Sequence, residues 1–237
     1  MSVGVIVAVV FAGLVVSRSA EAQDFDIEGL LGGMALRYAE VAQYTATFIK
    51  QERIGGTLRK REVIQLKFRK PNSIYMRWVE GNGAGREVIV VEGRDFGRAL
   101  IHEPDAKGIF TIVIAPDHPR VLQESRFPIS DVGLGRLIDL ARAGARTGAT
   151  VSQQQRGTSV RIAFTNSKPV TLCGCQKAIV TVDSGLKLPL GAEIFDERGE
   201  LLGSYLYSHL NLAAPLGDAD FDSRNPEYGF SILRWRY

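Results

Sequence analysis

The chain has 237 residues, 45% hydrophobic, 8% aromatic and 23% charged, which is the balance of a folded globular protein. That composition excludes a collagen-like or largely disordered chain, and the length allows one to two domains. The net charge of +3, from 29 basic and 26 acidic residues, is too even to define a dedicated nucleic-acid binder.

Val3 to Val16 read VGVIVAVVFAGLVV, an apolar run that stops at Ser17 and Arg18. It is shorter than the roughly 20 residues a spanning helix needs, and it matches the apolar region of a secretory signal. Ala20-Glu21-Ala22 follows as a small-x-small cleavage pattern, so residues 1–22 are expected to be a signal peptide and residues 23–237 a single exported domain. No Lys or Arg precedes the run, and no cysteine for a lipid anchor follows it. The expected location is the periplasm or the exterior, where disulfides persist.

From Ile27 to Ala42 apolar side chains recur at helical spacing (Ile27, Leu30, Leu31, Met34, Tyr38, Val41), with Asp26 as a cap. At Tyr44 the period changes to two. Tyr44, Ala46 and Phe48 share one face, as do Ile64, Leu66 and Phe68 after a Gly55-Gly56 turn, and Ile74, Met76 and Trp78 after Pro71-Asn72-Ser73. Strands continue through 86–92, 96–101 and 109–115. A second helix is expected over 130–143 with Ser130 as its cap, followed by strands over 149–155, 159–164, 175–182, 190–196 and 201–210. About eleven strands and two helices define an α+β domain: one antiparallel sheet with helices on one face. A sheet that large curls, because strand twist accumulates. Its concave side then either encloses an apolar ligand cavity or closes as a solid core of Phe48, Leu66, Phe68, Met76 and Trp78 against the helices.

Side chains suited to chemistry are sparse. His102, His118 and His209 lack metal-type spacing. The serines lack a GxSxG context, and the glycine-rich Gly81 to Gly85 joins two strands with no helix behind it to hold a phosphate. Nothing nominates an enzyme, a cofactor or a metal centre. Cys173 and Cys175 flank Gly174, and three states are open to them: a labile bridge over one residue, two free thiols, or half of a metal site. Nine basic residues lie between Lys50 and Arg77 against two acids, Glu52 and Glu62. Such a stripe either meets an anionic lipid head group or membrane surface, or is a solvated edge that discourages aggregation.

The segments Tyr44-Thr45-Ala46-Thr47-Phe48-Ile49-Lys50-Gln51-Glu52-Arg53, Ile64 to Pro71 running into Ser73 to Trp78, Gly85-Arg86-Glu87-Val88, Gly185 to Pro189 and Asp218-Ala219-Asp220-Phe221-Asp222 carry a resemblance. Together they resemble an exported bacterial domain family of unknown function, grouped with the LolA-like lipoprotein carriers and RseB-type sensors. The resemblance implies a strongly curved antiparallel half-barrel with helices over its concave side, around an apolar cavity. It implies a non-enzymatic protein that binds a lipid or acylated molecule without covalent chemistry. The resemblance supplies no list of binding residues; the candidates for the lining are Phe48, Leu66, Phe68, Met76 and Trp78, and for head-group contacts Arg69 and Arg77. The sensor branch implies the alternative of an envelope scaffold that binds a protein partner. The Cys173/Cys175 pair lies outside the carrier pattern and keeps a thiol role open.

Overall fold

A computed structural model describes residues 26–104 and 109–237. The expected signal peptide lies outside the described residues. Helix α1, Ile27–Glu40, starts where the Asp26 carboxylate accepts the Gly29 N–H at 2.8 Å and stops where Val41 turns extended. Among the described residues, no helix is long and apolar enough to cross a membrane.

Strands β1 (Gln43–Ile54), β2 (Thr57–Leu58), β3 (Glu62–Arg69), β4 (Ser73–Glu80), β5 (Glu87–Val91), β6 (Ala99–His102) and β7 (Thr111–Ile114) form the first half of the sheet. Helices α2 (Pro119–Leu122) and α3 (Leu134–Arg146) follow, then β8 (Thr150–Arg156), β9 (Ser159–Val170), β10 (Cys175–Asp183), β11 (Leu188–Phe195), β12 (Leu201–Asn211) and β13 (Arg234–Arg236). All thirteen belong to one sheet, in the order β13-β7-β6-β5-β4-β3-β1-β12-β11-β10-β9-β8, with β2 paired to β1 alone. Strands β1 and β12 zip the two meanders together at the centre. Every pairing is antiparallel except that of β13 with β7. Strands β8 and β13 end the path without meeting, so the sheet is curved and unclosed.

The α+β class and the curved antiparallel sheet are as the periodicity predicts. The two strands beyond the expected eleven are β2, which has two residues, and β13, whose three residues are too few to show a period. The second helix begins later than expected. Ser130 sits in a short 3-10 turn, and α3 starts after Gly133, whose φ of 131° is readily adopted only by glycine.

The basic stretch proves to be central rather than an edge, since β1, β3 and β4 lie mid-sheet. On their outer face, Lys67 meets Asp220 at 2.6 Å and the Tyr228 hydroxyl at 3.0 Å, and Arg69 meets Asp218 at 2.8 Å. These ties hold the C-terminal segment over a small outer core of Tyr75, Ile89, Leu100 and Val113, closed by Phe221. Tyr75 stacks on Tyr228 at 4.1 Å and donates to Glu87 at 2.8 Å.

Burial opposes the charges of both Lys67 and Asp220, but their hydrogen bonds outweigh it. The bond from Lys67 and the Gly217 N–H hold the Asp220 pKa below its ordinary value, and Asp220 and Tyr228 raise that of Lys67. The depressed Asp220 stabilises fully above the ordinary carboxylate range, near pH 4, and that share is lost as pH falls through its lower folded value. The raised Lys67 stabilises fully below about pH 10, and its share is lost as pH rises through its folded value. Residues 216–230 should therefore exchange amide hydrogen faster at pH 3 than expected from the intrinsic pH dependence, relative to neutral pH. Unchanged protection factors at pH 3 would remove this pair as the tie.

Candidate functional site

Alternation along the inner face builds the site. On β1 the inward series is Tyr44, Ala46, Phe48, Lys50, Glu52; on β3, read backwards, it is Phe68, Leu66, Ile64, Glu62. The register places Phe48 opposite Ile64 and Lys50 opposite Glu62. On β5 and β6 the inward series run from Val88 to Arg86 and from Ala99 through Ile101 to Glu103. Each series is apolar until its last members, and the registers gather those ends at one mouth of the half-barrel.

Behind the mouth lies a cavity of about 600 Å³. The sheet supplies Phe48, Ile64, Met76, Trp78, Val88 and Ile112 to its wall, and α3 with its leading loop supplies Phe127, Val132, Leu137 and Leu140. Tyr205 and Tyr207 of β12 complete one side. The volume lies within the range of small-molecule sites, roughly 300–1,000 Å³.

The mouth is a ring of paired charge. Lys50 Nζ lies 3.1 Å from Glu52 and 3.3 Å from Glu62, with side chains only 11%, 4% and 16% exposed. Glu52 also accepts from the Tyr205 hydroxyl at 2.8 Å and from Ser125 at 3.2 Å, and Glu62 accepts from the Trp78 indole at 3.1 Å. Burial first, and the Glu52 charge second, push the Tyr205 hydroxyl well above its ordinary pKa, so it stays a donor. Arg86 bridges Glu103 at 2.8 Å and Glu124 at 2.9 Å; burial opposes its charge, but the two carboxylates outweigh that and raise its pKa. A second, polar recess of about 370 Å³ adjoins the ring and adds Arg59 and Lys60 to it.

Of the residues expected to line a cavity, Phe48, Met76 and Trp78 do. Leu66 and Phe68 do not. They lie at the opposite end, where the start of α3 plugs the sheet: a Cβ on Gly133 would stand 3.1 Å from the Phe68 ring, which stacks on Tyr44 at 5.0 Å. A solid core beneath the helices and an open volume beside it therefore coexist. Arg69 and Arg77 do not line the cavity either. Their odd positions in β3 and β4 point them out of the opposite face, where Arg69 lies over the Phe221 ring at 4.8 Å and Arg77 is exposed. Arg120 and Arg136 also line the cavity, and the cations at its mouth are Lys50 and Arg86. The inward series ending in charge on successive strands is the pattern from which they could have been found.

Cys173, in the turn after β9, and Cys175, the first residue of β10, are joined in a disulfide, and both are buried. Leu172 beside them reaches the cavity, and its carbonyl accepts from Arg136 of α3 at 3.3 Å. Among the described residues, no cluster of three or more His, Cys, Asp or Glu could hold a metal ion.

An unclosed, curved antiparallel sheet with helices on its inner side defines an α+β half-barrel fold. More narrowly, the chain belongs to a family described as proteins of unknown function (DUF1571), whose model matches residues 41–230. Its sequence matches no curated protein. In structure it is similar to an uncharacterized conserved protein from Thermus thermophilus, with TM-score 0.52 and 10% identity over 89% of this chain and 98% of that one. It is also similar to MucB, with TM-score 0.49 and 17% identity over 83% of this chain and 62% of that one. A LolA superfamily protein from Nitrosomonas europaea gives TM-score 0.37 and 10% identity over 83% and 97% of the two chains.

Proposed function

We propose that the protein binds a lipid or acylated molecule, with its apolar chain in the cavity and its polar head at the charged ring. The observation that carries this is the division of one continuous inner face into an apolar hollow of about 600 Å³ and a rim of charge. Each methylene moved from water to the hollow contributes about 0.8 kcal/mol, so a chain of ordinary length needs no covalent step to be held. Each of the ring's four carboxylates contacts Lys50 or Arg86, two to each cation, so the head group meets a hydrogen-bonded surface rather than an isolated buried charge. The Cys173–Cys175 disulfide supports export to an oxidising compartment, outside the cytoplasm and beside membrane surfaces.

Native mass spectrometry of gently purified protein should show a bound lipid, and the delipidated protein should take up a fluorescent fatty acid. Val132→Trp, on a half-buried loop position of the cavity wall, should lower that uptake at least tenfold while leaving the circular dichroism spectrum unchanged. Absence of both co-purifying lipid and uptake would overturn the proposal. A stoichiometric envelope protein recovered from such ligand-free material would point to the scaffold reading instead.

A further inference from the structure

The geometry points to a second surface, a membrane-docking strip on the open edge of the sheet, whose partner is an anionic bilayer. Strand β13 runs along β7 with Trp235 opposite Ile112, and Ile112 lines the cavity. Alternate residues share a face, so Trp235 and Tyr237 carry the cavity wall past β7 to the edge, where Tyr237 itself reaches the lining. Phe110, two residues before Ile112, meets the Trp235 ring edge-on at 6.3 Å, and Trp235 meets Tyr237 at 6.3 Å. Trp235 is 53% exposed and Ile232 90% exposed, so this aromatic path leaves the protein interior and ends in solvent.

Edges that need only be blunted against other strands carry charge or proline across them. This one alternates instead, Arg234-Trp235-Arg236-Tyr237, with no acid anywhere from residue 231 to 237. Arg98 donates to the Tyr237 main-chain oxygen at 2.6 Å, and Arg120 donates to the Tyr237 hydroxyl at 2.7 Å while covering its ring at 4.3 Å. Among the described residues, none of Arg98, Arg120, Arg234 and Arg236 pairs with an Asp or Glu side chain. That separates them from Lys50, Arg53, Lys67, Arg69 and Arg86, which all do. Tryptophan and tyrosine settle at the bilayer interface, and arginines beside them that no Asp or Glu side chain neutralises complement anionic head groups. Docked this way, the protein would present its cavity wall to the bilayer as a continuous apolar path. The docking surface extends the cavity reading but stands without it.

Co-sedimentation with vesicles of phosphatidylcholine alone, and of phosphatidylcholine mixed with phosphatidylglycerol, tests the strip. The wild-type chain should favour the mixed vesicles and release with added salt. Arg234→Gln combined with Arg236→Gln should weaken that partition roughly 10- to 30-fold, and Trp235→Ser roughly tenfold. Wild type and variants share the same N-terminal apolar run, so their difference reads the strip. Equal partition of wild type and variants would overturn the inference. So would a concentration-dependent dimer that Trp235→Ser dissolves in the absence of vesicle binding, since the strip's partner would then be a second copy of the chain. Fatty-acid uptake without vesicles should be unchanged in the Arg234→Gln/Arg236→Gln variant, whose side chains alternate away from the cavity face; uptake failing in wild type and variant alike while docking persists would refute the cavity reading alone.

Discussion

Replacing Tyr44 and Tyr207 together by phenylalanine is expected to lower stability by about 2–6 kcal/mol, from about 1–3 kcal/mol for each buried N–H left without an acceptor. Helix α3 begins with no capping side chain of its own. Its first free amides are served from the sheet instead: Gly133 N–H donates to the Tyr207 hydroxyl at 2.9 Å, and Leu134 N–H to the Tyr44 hydroxyl at 3.0 Å. Burial raises the pKa of both hydroxyls, which keeps them neutral at any physiological pH. Phenylalanine preserves the stacks of Tyr44 on Phe68 and of Phe48 on Tyr207, so the loss isolates the two hydroxyls. Urea unfolding of both single variants and the double would measure it. A double variant within about 0.5 kcal/mol of wild type would show that these bonds do not hold α3, given that changes of that size are typical of uninvolved surface sites. Because α3 also carries Leu137 and Leu140 into the cavity wall, ligand uptake should fall along with stability.

Lys50→Met is expected to cost about 2–3 kcal/mol, somewhat below the 3–5 kcal/mol typical when a fully buried pair loses one partner. The discount reflects the position of the pair at the mouth, where Glu62 keeps 16% exposure. Without the ammonium, Glu52 and Glu62 face each other across the ring with only hydroxyl and indole donors. Adding Glu62→Gln to Lys50→Met should recover part of the loss, since it removes one of the two stranded charges, and the excess over additivity would give the coupling directly. If the double variant is less stable than Lys50→Met by the full cost of Glu62→Gln alone, the two residues are not coupled and the ring is not an electrostatic unit.

The inner face of the sheet is legible in the sequence because its signal is local. Tyr44, Ala46 and Phe48 repeat every second residue, as do Ile74, Met76 and Trp78, and all six are buried on one face. Which end of that face stays open is not local information. Phe68 and Phe48 look equivalent in a period-two pattern, yet one lies beneath Gly133 and the other borders the cavity, because a helix far along the chain chooses where to sit. The same holds for Arg69. Its position in the alternation already places it opposite Phe68, so its outward direction could be read, but its partner Asp218 is supplied by a segment 149 residues away. The start of α3 is hidden for a related reason: Ser130 is the cap that neighbouring side chains offer, whereas the acceptors that serve the helix come from β1 and β12.

A closed barrel has its radius set by strand number and shear, so its interior changes only if ladder hydrogen bonds break. Here β8 and β13 do not pair, and the inner side is filled by α3 and its leading loop through side-chain contacts. The bore is therefore not quantised by backbone pairing. Side-chain repacking against the plug can widen or narrow it in small steps without any ladder hydrogen bond breaking, so the hollow's volume is not tied to the main-chain lattice.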